Sequence, residues 1–430
     1  MSTPFDFFTY RQNHLSAGTV SLTEIAESTG TPVYVYSADA LLKPLQELQK
    51  GLASLDHLVC FAVKANSSLA VLKLLGDAGA GMDLVSGGEL YRAGVAGVPA
   101  DRIVFSGVGK TIGEMANALE RGIFSFNVES TAELELLDDV ASSLGTRARV
   151  ALRFNPDVDA KTHPYISTGL KKNKFGMNRA EILKVAGDLD RLPGIDLRGI
   201  SIHIGSQLLS LSPLAEAFKR TRDLITEINA EVAEPLSFVD LGGGVGITYK
   251  AEKAPKISDY CKRITKIFGP QAAKKSKHAH PLKVLIEPGR TISGNSGVLL
   301  TEVLYRKSRG AKDFIIVDAA MNDLMRPSLY GSYHDIVPVE KSQTLGAKKT
   351  ADIVGPVCES SDCFASDRKF PAKVDRGDLL AILSAGAYGF TMSSNYNTRP
   401  RPTEVLIQNG TFRVIRNRES YDDLIRGEKL

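Results

Sequence analysis

The chain has 430 residues, with 53 basic against 49 acidic side chains, a net charge of +4, 43% apolar and 24% charged residues. These proportions suit a globular protein of two or three domains, or one large barrel with a smaller domain, and a charge so balanced argues against a nucleic-acid partner. No run of about 18 apolar residues could span a membrane. Met1 to Tyr10 lacks the basic-then-apolar order of a signal peptide. The four cysteines, at 60, 261, 358 and 363, form no disulfide framework in a chain this long and have no second Cys/His pair at zinc spacing. The expectation is therefore a reducing cytoplasm and no metal. The densest basic run, Lys274-Lys275-Ser276-Lys277, reads as a solvated helix end.

Residues 1 to 30 read as short helical or irregular pieces. A strand follows over Thr31–Tyr36, then a helix over Ala38–Leu52. From residue 58 apolar strands alternate with amphipathic helices. The strands are Leu58–Lys64, Gly81–Val85, Arg102–Ser106, Phe124–Val128, Arg149–Asn155, Leu197–Ile204, Leu236–Leu241 and Leu282–Glu287. Between them lie helical stretches such as Ser68–Ala78, Ile112–Arg121, Ala132–Leu144, Ala180–Leu189, Leu214–Asn229 and Ile257–Phe268. Gly79 and Gly122 stand where helix C-caps need them.

Eight β-then-α units over about 230 residues fit a (β/α)₈ barrel, whose usual size is ~250 residues. An open doubly wound sheet is the alternative. A barrel places functional residues at strand C-termini, and the strand ends here carry Lys64, Asp83, Ser106, Glu129, Arg153, Asn155, His203, Ser206, Gly242-Gly-Gly244 and Glu287-Pro-Gly-Arg290. After about residue 290 the rhythm changes to strands with few long helices, over Phe314–Asp318, Ile336–Val339, Ala351–Val357, Asp378–Leu383 and Val405–Val414. Asn409-Gly410 between alternating segments is a two-residue hairpin signal. The chain is thus α/β plus β: a TIM barrel over 38–290, and a mostly antiparallel β domain from 291–430 that also takes the strand in 1–37.

Lys64 ends an apolar strand. A lysine there either snorkels to water or is a Schiff-base lysine poised as a free amine. Consecutive glycines after the seventh strand let backbone N–H groups crowd an anion; the plain alternative is a flexible turn. Glu287 is placed to meet a cofactor or to pair with Arg290. His203 offers a flat stacking surface or a core hydrogen bond, and Ser206 is a plausible phosphate ligand. An amine, a phosphate cradle, a stacking surface and a carboxylate are the parts that pyridoxal 5′-phosphate (PLP) needs.

The same residues carry a family resemblance. The chain resembles the diaminopimelate decarboxylase family, among barrel-type PLP decarboxylases of alanine racemase-like fold. The matching stretches are FAVKAN (61–66), RFNPDVDAKTHPYISTGLKKNKFGM (153–177), HIGSQ (203–207), DLGGGVGITY (240–249), EPGR (287–290), MRPSLYGSYH (325–334), GPVCES (355–360) and GAYGFTMSSNYNTRPRPTEVL (386–406). They cover most of the chain, in order. The Asn-Pro-Asp-Val-Asp and Cys-Glu-Ser stretches point to diaminopimelate rather than ornithine.

The resemblance implies decarboxylation of meso-2,6-diaminopimelate to L-lysine and CO₂, the last step of lysine biosynthesis. It implies that Lys64 holds PLP covalently, His203 stacks on it and Glu287 faces its ring nitrogen. Ser206, Gly243, Gly244, Pro288, Gly289, Arg290 and Tyr388 would complete the cofactor site. Arg290, Arg326, Tyr330, Glu359 and Tyr388 would hold the substrate. It also implies a homodimer with a shared site, which Cys358, as proton donor, and Glu359 enter from the partner. One departure is Ser361, where the family commonly has glycine. Other readings are a decarboxylase of ornithine, arginine or carboxynorspermidine, a non-catalytic PLP-binding regulator, and a phosphosugar-binding barrel. On residue type alone Cys358 could be a small core residue, Arg326 a surface ion-pair member, and Asp157 and Asp159 loop-shaping residues.

Overall fold

The computed structural model of the chain describes residues 6–159, 174–270, 280–310 and 312–430. The lysine-rich run 274–277 and the middle of the 153–177 stretch lie outside them. The chain forms two compact units: Leu42–Ile247 with Lys253–Thr291, and Ser2–Leu41 with Thr248–Glu252 and Ile292–Leu430.

Residues 6 to 30 bear out the expected short helical piece and replace the irregular ones with strands. They form a three-stranded antiparallel sheet, β1 (Phe8–Arg11), β2 (His14–Ala17) and β3 (Val20–Ser21), then a helix over Leu22–Thr29 capped by the Ser21 hydroxyl. Strands of two to four residues are too short to show a period. The β1–β2 turn uses Gln12 and Asn13, both at positive φ, without the glycine that usually marks such a turn. Strand β4 (Val33–Ser37) follows.

The first unit is a closed parallel barrel. Its strands are β5 (His57–Ala62), β6 (Gly81–Leu84), β7 (Ile103–Phe105), β8 (Ser125–Val128), β9 (Ala148–Arg153), β10 (Ile195–Ser201), β11 (Phe238–Asp240) and β12 (Lys283–Ile286). Each pairs with the next, and β12 returns to β5. The strands are buried on both faces, hence their near-continuous apolar sequences. Four connecting helices begin on side-chain caps, at Ser86, Thr111, Ser130 and Asn178, with reciprocal capping boxes at Thr111/Glu114 and Asn178/Glu181. Every strand is shorter than its apolar run suggests. Strand β5 stops at Ala62, so Lys64 stands in a single 3₁₀ turn, Val63–Ala65, and β10 stops two residues before His203.

Inside the barrel Cys60, Val104, Ala151 and Phe238, from the alternate strands β5, β7, β9 and β11, pack with Leu285 as one apolar layer. Gly199 makes room for it, since a Cβ there would lie 2.6 Å from the Phe238 ring. Two residues further along from Val104, Ala151, Phe238 and Leu285 the sequence turns polar, at Ser106, Arg153, Asp240 and Glu287. Ser106, Asn127, Asp240 and Glu287 hydrogen-bond across the interior, and Arg153, Ser201 and Asp240 are neighbours in register. The period of two that buries the apolar layer thus carries the polar one to the C-terminal mouth.

The second unit is built on β4, β13 (Gly297–Arg309), β14 (Lys312–Val317), β15 (Ile336–Pro338), β16 (Lys348–Val354), β17 (Cys363–Pro371), β18 (Leu379–Ile382), β19 (Thr403–Gln408) and β20 (Thr411–Arg416). The sheet order is β17-β16-β14-β13-β4-β19-β20, with β18 joining β13 to β15. Pairing is antiparallel except β4–β19 and β14–β16. The early strand β4 thus joins the C-terminal sheet, and Asn409-Gly410, both at positive φ, make the expected hairpin. Two strands are additions to the reading from sequence. The 13-residue β13 starts as a continuous apolar run, and β17 is largely polar, so neither shows clean alternation.

Candidate active site

Lys64 neither snorkels freely nor disappears into the core. Its side chain is 36% exposed, and its Nζ lies 2.5 Å from Oδ2 of Asp83, a carboxylate with no exposure at all. The other oxygen, Asp83 Oδ1, is buried with no hydrogen-bond partner among the described residues. Burying a charge is costly unless it is paired, so this ion pair fixes the amine at the barrel mouth.

Glu287 and Asp240 are the next two acids inward. The Asn127 amide donates to Asp240 Oδ2 at 3.0 Å and to Glu287 Oε1 at 3.1 Å, and the Ser106 hydroxyl donates to Glu287 Oε1 at 3.4 Å. Burial, then the neighbouring Asp240 and Asp83 carboxylates, push the Glu287 carboxyl well above its usual range; Lys64 opposes this. Burial likewise raises Asp240. Two buried acids in contact resist ionising together, so Glu287 and Asp240 act as one pair that retains a proton.

The glycine loop is set by close backbone approach. A Cβ at Gly243 would lie 2.2 Å from the Glu287 carbonyl oxygen, and one at Gly244, whose φ is +105°, 2.3 Å from the Gly205 carbonyl oxygen. No other residue fits, and the strand-end loops after β10, β11 and β12 are drawn together. The Gly243 N–H donates to His203 Nδ1 at 3.2 Å. That donor assigns the ring proton to Nε2. Burial, then Arg153 and Lys64, hold the imidazole well below its usual pKa, so His203 presents a neutral flat ring. Arg290 donates to the Ser206 hydroxyl at 3.2 Å. The Pro288 carbonyl accepts from Ala62 N–H at 3.3 Å, tying the end of β5 to the segment after β12, and Gly289 precedes the short helix Arg290–Ser293.

Behind this cluster is a charge network that the reading from sequence did not assign to the site. Lys110, fully buried, donates to the carbonyls of Gly107 and Asn127 and to Glu133. Glu133 accepts from the Glu129 N–H, and Glu129 pairs with Arg153 at 2.5 Å while accepting from Gly176 N–H. Glu89, on the helix Gly87–Val95, accepts from Val85 N–H at 2.8 Å; burial raises its carboxyl to about 7. Asn127 and Asp240 were equally absent from the expected site, and Asp83 was noted at a strand end but given no role. Their one signal was a polar residue inside an otherwise apolar strand.

The remaining expected residues belong to the second unit. Arg326 is 6% exposed. Its guanidinium donates to the Tyr249 hydroxyl at 3.0 Å and to Ser332 Oγ at 3.3 Å, and lies 3.1 Å from His334 Nε2. It is thus a buried arginine, packed among Tyr249, Ser332 and His334, rather than a surface residue. Tyr330 ends the short helix Arg326–Tyr330 and is half-buried. Tyr388 is half-buried at φ +56°, strained for a bulky residue and of the kind found at ligand clamps. Cys358 and Glu359 are exposed, so Cys358 is no core residue. In the first unit Asp157, at φ +52°, donates its backbone N–H to Asn155 Oδ1, an Asx turn that shapes the loop.

A barrel of eight parallel strands that brings an amine on a buried carboxylate, a protonated acid pair and a glycine cradle to its C-terminal mouth defines a cofactor-dependent enzyme of the lysine Schiff-base class. Residues 39–294 match the family model "Pyridoxal-dependent decarboxylase, pyridoxal binding domain". The chain is 48% identical to the diaminopimelate decarboxylase of Pseudomonas fluorescens, over 99% of both chains. It is 46% identical to that of Aquifex aeolicus, over 97% of this chain and 96% of the relative. The crystal structure of diaminopimelate decarboxylase from M. jannaschii in co-complex with L-lysine superposes with a TM-score of 0.92 at 37% identity, covering 100% of this chain and 99% of that one. The chain belongs to the pyridoxal-dependent decarboxylases and, within them, to the diaminopimelate decarboxylase family.

The residues fit the family's cofactor on grounds of structure. The loop is open only because Cβ atoms are absent at Gly243 and Gly244. Asp83 Oδ1 is a buried acceptor left unfilled. The buried Glu287–Asp240 pair, its carboxyls raised by burial, suits a facing cation such as a pyridinium N–H.

Proposed function

We propose that the chain decarboxylates meso-2,6-diaminopimelate to L-lysine and CO₂ with PLP. One observation carries the reading: the chain aligns end to end with diaminopimelate decarboxylases while keeping the lysine amine and the carboxyl pair at one barrel mouth. When bound, PLP supplies the electron sink that makes loss of CO₂ from the α-carbon feasible.

The chain's own residues would do the rest. Lys64 would hold the cofactor covalently, with Asp83 fixing the approach of its Nζ and taking its ammonium when the amine is released. Glu287 would face the ring nitrogen and Asp240 would share its proton. His203 would stack by its neutral face. Ser206, Gly243, Gly244, Gly289, Arg290 and Tyr388 would surround the phosphate with N–H, hydroxyl and guanidinium donors, and Pro288 would hold the cradle against β5. At the substrate's distal end Arg326 would take the carboxylate and Glu359 the ammonium, with Arg290, Tyr330 and Tyr388 alongside. A neutral or singly charged analogue would leave one of these groups unpaired in a dry site, which disfavours ornithine and free lysine as substrates. The site would be shared across a homodimer. Cys358 of the partner subunit would return a proton to the carbon that lost CO₂, and Glu359 of the partner subunit would meet the distal ammonium. Their exposure on the second unit supports this assignment.

The test is CO₂ release by the PLP-loaded protein from meso-diaminopimelate, ornithine, arginine and lysine, each offered alone, with the amine product identified. CO₂ and lysine from diaminopimelate alone is the expected result. Release from ornithine or arginine instead would keep the chemistry and overturn the distal contacts. No release, with bound PLP visible, would leave a non-catalytic PLP-binding protein. Arg326→Ala should erode the preference for diaminopimelate over ornithine, and unchanged discrimination would remove Arg326 from the distal carboxylate.

A further inference from the structure

Glu359 is exposed, and a free exposed glutamate samples many rotamers. Here both carboxylate oxygens are taken. The Tyr396 hydroxyl donates to Oε1, and the Ser361 hydroxyl donates to Oε2 at 2.9 Å. These two bonds, Tyr396 first, hold the Glu359 carboxyl below its usual range. Each oxygen keeps a second lone pair for an incoming ammonium.

The donors are themselves braced. The Ser361 carbonyl accepts from Ser328 Oγ at 2.6 Å. Asp362, buried, accepts from Val357 N–H and Met321 N–H at 2.7 Å each, and Gly355 admits it, since a Cβ there would lie 2.4 Å from Asp362 Oδ2. On the other side Asn397 and Thr398 are both left-handed, at φ +55° and +54°. That turn carries Tyr396 to Glu359 and brings Asn397 Oδ1 within 3.2 Å of the Cys358 N–H. Arg399 ties the turn down by donating to Asn322 Oδ1 and to the Asp318 carbonyl. The loop at Cys358 and Glu359 is thus held from two sides by groups of its own unit.

We infer that Tyr396 and Ser361 are positioning residues that fix the Glu359 carboxylate, ionised and in one rotamer, for the distal ammonium of the substrate. The inference rests on the assignment of Glu359 as that ammonium's partner. It gives Ser361, which stands where the family commonly has glycine, a role that glycine cannot fill: a hydroxyl donor to Oε2. The ordering of a three-torsion side chain is done before the substrate arrives, so binding does not have to supply it. Removing a donor should weaken ground state and transition state alike, raising KM and leaving kcat nearly unchanged.

The test measures kcat and KM for meso-diaminopimelate, and competitive inhibition by L-lysine, which as the reaction's product presents its α-ammonium and α-carboxylate at the distal end. The variants are Tyr396→Phe and Ser361→Gly, each made also in a Glu359→Ala background. Tyr396→Phe should raise KM and the lysine inhibition constant together by about threefold to tenfold, the scale of one re-mobilised side chain, with kcat within about twofold. Ser361→Gly should do the same to a smaller degree. In the Glu359→Ala background neither change should matter, because the group being positioned is gone. Unchanged KM in both single variants would overturn the inference. So would an equal rise in the Glu359→Ala background, which would place the role of Tyr396 elsewhere. Glu359→Ala with an unchanged KM would overturn the substrate assignment itself, and the inference with it.

Discussion

Glu287 and Glu359 are both assigned to meet a cation, yet their surroundings are opposite. Glu287 sits inside the barrel among Asp240, Asn127 and Ser106 and is held protonated by burial. Glu359 stands exposed on a loop of the second unit and is held ionised by two hydroxyls. In the first case a low-dielectric site stores a proton until a cation displaces it. In the second the charge is already present, and only its direction is controlled. Burial alters which species exists; exposure leaves the species alone and makes orientation the quantity to manage.

Lys64→Ala is the largest break available. It removes the amine paired with Asp83, and activity should fall by about three orders of magnitude or more with loss of the visible absorption of bound PLP. Retained absorption would place the cofactor's covalent partner elsewhere.

Glu287→Gln and Glu359→Gln sharpen the contrast directly. Glu287→Gln should lower kcat by about 100- to 1000-fold without lowering the melting temperature of the apoprotein, because a neutral amide replaces a neutral acid. A large loss of apoprotein stability would show that Glu287 is ionised in the cavity after all. Glu359→Gln should act on KM first.

Gly243→Ala probes the cradle itself. Its Cβ would meet a backbone carbonyl at 2.2 Å, and the cost should be about 2–4 kcal/mol of stability together with weaker PLP retention. A variant of wild-type stability that still retains PLP would show that the loop has room to move.

The smallest effect concerns Glu89. Its folded pKa of about 7 lies above the ordinary 4.5, so the folded chain holds a proton that the unfolded chain has released. Its contribution is fully present below pH 4.5 and is lost as pH rises toward 7. Glu89→Gln should flatten the decline of apoprotein stability across that window in a urea titration at several pH values; an unaltered slope would show that Glu89 is ionised throughout.

Much of the site was readable along the chain because it sits at strand ends, where an apolar run gives way to a polar residue or a glycine. Lys64, His203, Gly242-Gly-Gly244 and Glu287 were found that way. Asp83 was noted there too but without a role, and Asn127 and Asp240 were not found, because one polar residue inside a buried strand reads as an exception until the strands close. Arg326 was open to misreading for the converse reason: arginine is usually a surface residue, and only the packing of Tyr249, Ser332 and His334 around it makes it a buried one. Strands β1 to β3 were too short for periodicity, and β17 too polar.

The sequence by itself determined the alternation of strands and helices, the order of the barrel, the Asn409-Gly410 hairpin and the residue types at the barrel mouth. These depend on hydrophobic period and backbone freedom, which are local properties. Only the tertiary structure decided which polar groups share a proton, which nitrogen of His203 carries its hydrogen, and that Tyr396 and Ser361 hold Glu359. Those outcomes depend on burial and on contacts between residues far apart in the chain, and no local pattern encodes either.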